Sequence, residues 1–139
     1  MRTYKGLINE LPENCVFVYG ANPEGIHGAG AAKVAREKFG AVYGKTGWVG
    51  KSYSLITKDL RINKHPSIPE KEIKWEIDDL YITAAVHSDK DFYIAYTGNG
   101  TNLNGYTNQQ MADMFSSCGV IPDNIIFEEE FAKLLKDGK

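Results

Sequence analysis

Short apolar runs alternate along the chain with stretches of helical periodicity. Cys15-Val16-Phe17-Val18-Tyr19-Gly20 is β-rich and ends in glycine, the pattern of a strand buried on both faces. Pro23, Gly25 and Gly28 make the next segment a loop, and Gly30 to Phe39 then favours a helix that Gly40 stops. Ser52-Tyr53-Ser54-Leu55-Ile56-Thr57 reads as a second strand; the segment before it holds Gly44, Gly47 and Gly50 and is expected to be irregular. Ile73, Ile77, Leu80, Tyr81, Ala84 and Ala85 form the one-sided stripe of a long helix running from about Pro69 to Ser88. A third strand, Phe92 to Thr97, leads into the polar loop Gly98 to Gly105, after which Thr107 caps a helix carrying Met111, Met114 and Phe115 on one face. A turn at Pro122-Asp123-Asn124, a fourth strand at Ile125-Ile126-Phe127 and a helix from Glu129 to Lys136 complete the pattern.

Strands alternating with helices predict an α/β fold, because each parallel connection needs a crossover that places a helix on the sheet. The expectation is one domain over residues 1–139 with a mostly parallel or mixed sheet covered on both faces. Ligands in such sheets bind beyond the carboxyl ends of the strands. The loops at 20–28, 58–61 and 98–105 leave strands at that edge and should converge there.

Composition narrows the classes. A chain of 139 residues with 42% hydrophobic and 24% charged residues holds a core without staples. Sixteen Lys plus Arg against eighteen Asp plus Glu leave a net charge of −2, which does not supply the broad positive field of an extended nucleic-acid surface. No apolar stretch approaches the roughly 20 residues of a membrane span, and Met1 to Gly6 lack the apolar core of a signal peptide, so the expected location is the cytoplasm. Cys15 and Cys118 read as buried, unpaired small hydrophobes in a reducing compartment.

Candidate chemistry concentrates in the first loop. In the segment from Gly20, Ala21 and Asn22 to Ala32, Gly25, Gly28 and Gly30, with Ala29, Ala31 and Ala32, remove nearly every side chain between a strand end and a helix start. A ligand there would meet main-chain amides backed by a helix N-terminus, the setting of a phosphate or diphosphate site. The order Gly-x-x-Gly-x-Gly is not the dinucleotide fingerprint, and Gly44-Lys45-Thr46 lacks the upstream glycine of a P-loop. His27, inside the loop, is a candidate acid, base or phosphate donor, with a capping or solvent-facing role as the alternative. Asp59 after the second strand is a candidate catalytic carboxylate or half of a surface ion pair, and Glu24 is similar. In the second polar loop, Asn102 and Asn104 are candidate amide donors. His65 and His87 read as structural or exposed, Trp75 as packing, and Trp48 as packing or as cover for a ring. No spacing suggests a metal site, no serine sits in a hydrolase elbow, and no cofactor is expected.

The strand, Asn22, the turn Gly28-Ala29-Gly30-Ala31-Ala32 and the helix after it resemble the start of the macro domain. Tyr96-Thr97-Gly98-Asn99-Gly100 with Gly105-Tyr106 is similar to that family's later phosphate loop. The two matches cover about 35 residues in the family's order, and the chain looks like a small bacterial or phage member. The resemblance implies a three-layer α/β/α sandwich that binds ADP-ribose or a related nucleotide. Asn22 would face the distal ribose, Gly28 to Gly30 and Gly98, Asn99 and Gly100 would offer amides to the phosphates, Thr97, Thr101 and Asn102 would border the ligand, and Tyr106 would cover the sugar or base. The aspartate with which macro domains contact adenine has no counterpart among Asn9, Glu10, Glu13 and Asn14. Three readings follow: hydrolysis at the distal ribose with Asn22, His27 or Asp59 positioning water; a non-catalytic module that sequesters a nucleotide or recognises ADP-ribosylated protein; or a phage or assembly accessory protein whose loops contact protein.

Overall fold

The computed structural model describes residues 1–28, 30–98 and 102–136. The elements follow in the order β1 (Thr3–Tyr4), β2 (Cys15–Ala21), α1 (Gly30–Lys38), β3 (Trp48–Val49), β4 (Ser52–Ile56), α2 (Glu70–Val86), β5 (Asp91–Ile94), α3 (Asn108–Ser116), β6 (Ile125–Glu128) and α4 (Glu129–Ala132). The six strands form one mixed sheet in the order β1-β6-β5-β2-β4-β3, parallel throughout except for the β3–β4 pair.

Alternation along β2 divides the core. Val16 and Val18 face the larger cluster, with Leu55, Ile94 and Phe127 from the sheet, Ile73, Ile77 and Leu80 from α2, Met111 and Phe115 from α3 and Phe131 from α4. Phe17, Tyr19 and Ala21 face the smaller one, with Ala35 of α1 and with Phe39. Helices therefore cover both faces, an arrangement compatible with a three-layer sandwich. A fully buried Leu, Ile or Phe contributes about 1.5–3 kcal/mol, so the apolar stripe of α2 outweighs helix propensity in holding it to the sheet. In α3 the Thr107 side chain accepts from Gln110 N while Gln110 Oε1 accepts from Thr107 N, a complete capping box.

Several local expectations need correction. The segment before β4 is not irregular throughout: Gly47 and Gly50, at φ of 82° and 62°, turn the chain so that Trp48 and Val49 pair with Tyr53 and Ser52. Trp48 packs edge-on against Phe92 and His87, so it belongs to the sheet rather than to the cover of a site. Trp75 is 56% exposed with Lys71 over its ring, because it lies off the buried stripe of α2. Ladder pairing of β5 stops at Ile94, which releases Tyr96 and Thr97 from the sheet, and α4 ends at Ala132 rather than Lys136. Cys15 is buried but Cys118 only partly so; both are free. Among the described residues, no helix is long and apolar enough to cross a membrane.

Candidate functional site

A cleft of about 600 Å³ opens beyond the carboxyl ends of β2, β4 and β5. Gly20, Ala21, Asn22, Gly28 and Gly30 line it from the first loop, and Tyr96, Thr97, Asn102, Leu103 and Asn104 from the second. The loops meet: Leu103 Cδ1 lies 3.5 Å from where a Cβ on Gly30 would stand. Thr57 and Lys58, just past β4, complete the inner wall, and Gly6 to Asn9, just past β1, form an outer one.

Local chemistry shapes the first loop. Asn22 Oδ1 accepts from Ile26 N at 3.0 Å and its Nδ2 donates to Ile26 O at 2.9 Å, so this side chain staples the loop while lining the cleft. Gly25, at φ 71°, accepts from Gly44 N, and its missing Cβ leaves room for the Gly44–Lys45 backbone. Gly30 opens α1, whose first-turn amides have no acceptor within the helix. Together with the positive end of that helix they favour an anion at this rim.

His27 and Asp59 do not line the cleft. The imidazole turns inward, 4% exposed, with Nε2 3.2 Å from the Tyr19 hydroxyl and Nδ1 unpartnered among the described residues. Burial, and then the charge of Arg36, lower its pKa, so it is held neutral. Its proton affinity is weaker folded than unfolded, so stability is full above the ordinary histidine pKa and declines as pH falls below it. Urea melts between about pH 7 and pH 5 should show that decline, and His27→Gln should flatten it.

Asp59 accepts from Arg61 Nη2 at 2.7 Å and from Arg61 N at 3.0 Å; these bonds bring its pKa down to about 2. Such a carboxylate is a poor proton acceptor at neutral pH. Arg61 also pairs with Glu24 at 3.3 Å, so all three residues form an ion-pair cluster beside the cleft.

The second loop carries an unexpected anchor. Gly98 N donates to Glu128 Oε1 at 2.9 Å instead of facing a ligand, and Glu130 N and Phe131 N donate to the same carboxylate. Burial alone would raise the Glu128 pKa, but the backbone donors outweigh it and hold it low. Asn102 Nδ2 is engaged with Tyr106 O and Asn108 Oδ1, and the Tyr106 hydroxyl donates to Ile68 O at 2.6 Å, away from the cleft. Gly25, Gly98 and Tyr106 thus shape the loops without lining the cavity. Ala29, Asn99, Gly100 and Thr101 lie outside the described residues.

Thr57, Lys58 and the wall at Gly6 to Ile8 carry no motif, and Tyr96 enters the sequence reading only as the first residue of the later loop match, with no role of its own. The available signal was position: Thr57 and Tyr96 stand at the carboxyl ends of apolar runs, where a parallel sheet exposes its ligand edge. Among the described residues lining the cleft, Lys58 is the one charged group, and none is Asp, Glu, His or Cys. No protein-family model matches the sequence, and no curated protein matches it significantly.

Proposed function

We propose that the protein is a macro domain-like module that binds ADP-ribose or a related nucleotide in this cleft and does not hydrolyse it. The observation carrying the reading is the meeting of two glycine-rich loops on one cavity whose described lining offers amides, hydroxyls and one ammonium but no carboxylate or imidazole. Its volume falls within the roughly 300–1,000 Å³ usual for small-molecule sites, which favours a ligand over loops that only contact protein. The burial of His27 and the ion pairing of Asp59 withdraw two candidate catalytic groups and so support binding over chemistry.

Isothermal titration with ADP-ribose should give saturable one-to-one heat, and an ADP-ribosylated peptide incubated with the protein should release no ADP-ribose. Absence of heat would remove the ligand class; release would turn the module into a glycohydrolase. Lys58→Ala should weaken binding about fivefold, the effect of losing about 1 kcal/mol from one half-buried charge contact, with the deficit shrinking as salt is raised.

A further inference from the structure

One polar group of a cleft-lining residue has no hydrogen-bond partner among the described residues. The Tyr96 ring is held between Phe115 and Phe131, with centroids 6.0 Å from each, and its hydroxyl reaches over Gly20, where a Cβ would stand 2.5 Å from it. That oxygen is buried and makes no hydrogen bond among the described residues, although the Thr57 and Asn104 side chains lie beside it. A buried hydroxyl without a partner is costly and uncommon in a native fold. Burial pushes the phenol pKa up to about 12, so the group stays a neutral donor at working pH. Its polar neighbours Thr57 and Asn104 are neutral too, whereas Lys58 and the start of α1 supply the positive character of the cleft.

We propose that the Tyr96 hydroxyl is a specificity-determining contact that binds a sugar hydroxyl of the nucleotide, while the first glycine loop, the start of α1 and Lys58 take its phosphates. This inference rests on the nucleotide reading above. The sugar is either the nucleoside ribose or a second ribose beyond the diphosphate, and the two share this chemistry.

Titrations of ADP-ribose and ADP into the wild-type chain and Tyr96→Phe, at low and high salt, test it. The variant should bind ADP-ribose about tenfold more weakly by the same factor at both salt concentrations, with no lower thermal midpoint, since the hydroxyl it removes makes no hydrogen bond among the described residues. An equal loss for ADP assigns the contact to the nucleoside ribose; unchanged ADP binding assigns it to the second sugar. Gly20→Ala, which displaces the hydroxyl and keeps the tyrosine, should reproduce the loss and serves if Tyr96→Phe folds poorly. Unchanged ADP-ribose affinity, or a loss that shrinks with salt, overturns the contact and leaves the nucleotide reading standing. Failure of the wild-type chain to bind either nucleotide removes that reading and this contact together.

Discussion

Gly25→Ala is expected to destabilise the protein by about 3 kcal/mol or more and to abolish ligand binding by unseating the first loop. Two costs add at this position. At φ 71° an alanine pays about 1–2 kcal/mol for the left-handed conformation alone. Its Cβ would also stand 2.6 Å from Gly44 C and 2.7 Å from Lys45 N, backbone atoms that cannot rotate aside. Gly44→Ala is the matched control: its φ is 82°, but nothing lies within 4 Å of the added carbon, so only the conformational cost of about 1–2 kcal/mol applies. Urea unfolding should show Gly25→Ala with a far lower midpoint than Gly44→Ala at a similar slope. Equal midpoints would mean that the Gly25–Gly44 contact does not hold the loop.

Glu128→Ala should cost about 3–4 kcal/mol, because three backbone N–H groups lose a charged acceptor within a nearly closed site and α4 loses its cap. Glu128→Gln keeps one oxygen in place and should cost about half as much. The carboxylate's pKa is depressed on folding, so its contribution is complete above the ordinary glutamate value and is lost as pH falls through the lower folded value. Wild-type stability should therefore drop below about pH 4.5, and Glu128→Gln should lack that part of the drop. Denaturation curves from pH 6 downward to about pH 3 measure both effects. Because Gly98 hangs from the same carboxylate, Glu128→Ala should also weaken ligand binding at neutral pH.

The elements visible in the sequence were those whose signal is local. The all-apolar run of β2, the stripe of α2 and the Thr107–Gln110 box of α3 each carry their periodicity or cap within a few residues. Thr3–Tyr4 and Trp48–Val49 are strands only because β6 and β4 offer edges to them, and two residues have no period to read. The site divides in the same way. Convergence of the loops follows from parallel topology, Gly28 and Gly30 were legible as bare backbone between strand and helix, and Asn22 was legible through the family resemblance. The direction of a single side chain is set by tertiary partners that no spacing encodes. Tyr19 draws His27 inward, Arg61 holds Asp59, and Glu128, thirty positions along, captures the Gly98 amide. The surroundings of the Tyr96 hydroxyl, among Gly20, Thr57 and Asn104, are likewise a property of several strand ends taken together.

The short pairing of Thr3 and Tyr4 with Phe127 and Glu128, reinforced by Tyr4 Oη donating to Ile94 O and by Arg2 on Asp91, ties the wall at Gly6 to Asn9 to the sheet. The amino-terminal residues are thus part of the cleft wall, so an affinity tag or a trimmed boundary placed there would alter the very pocket a ligand screen is meant to probe. Fusions for such screens belong at the opposite terminus.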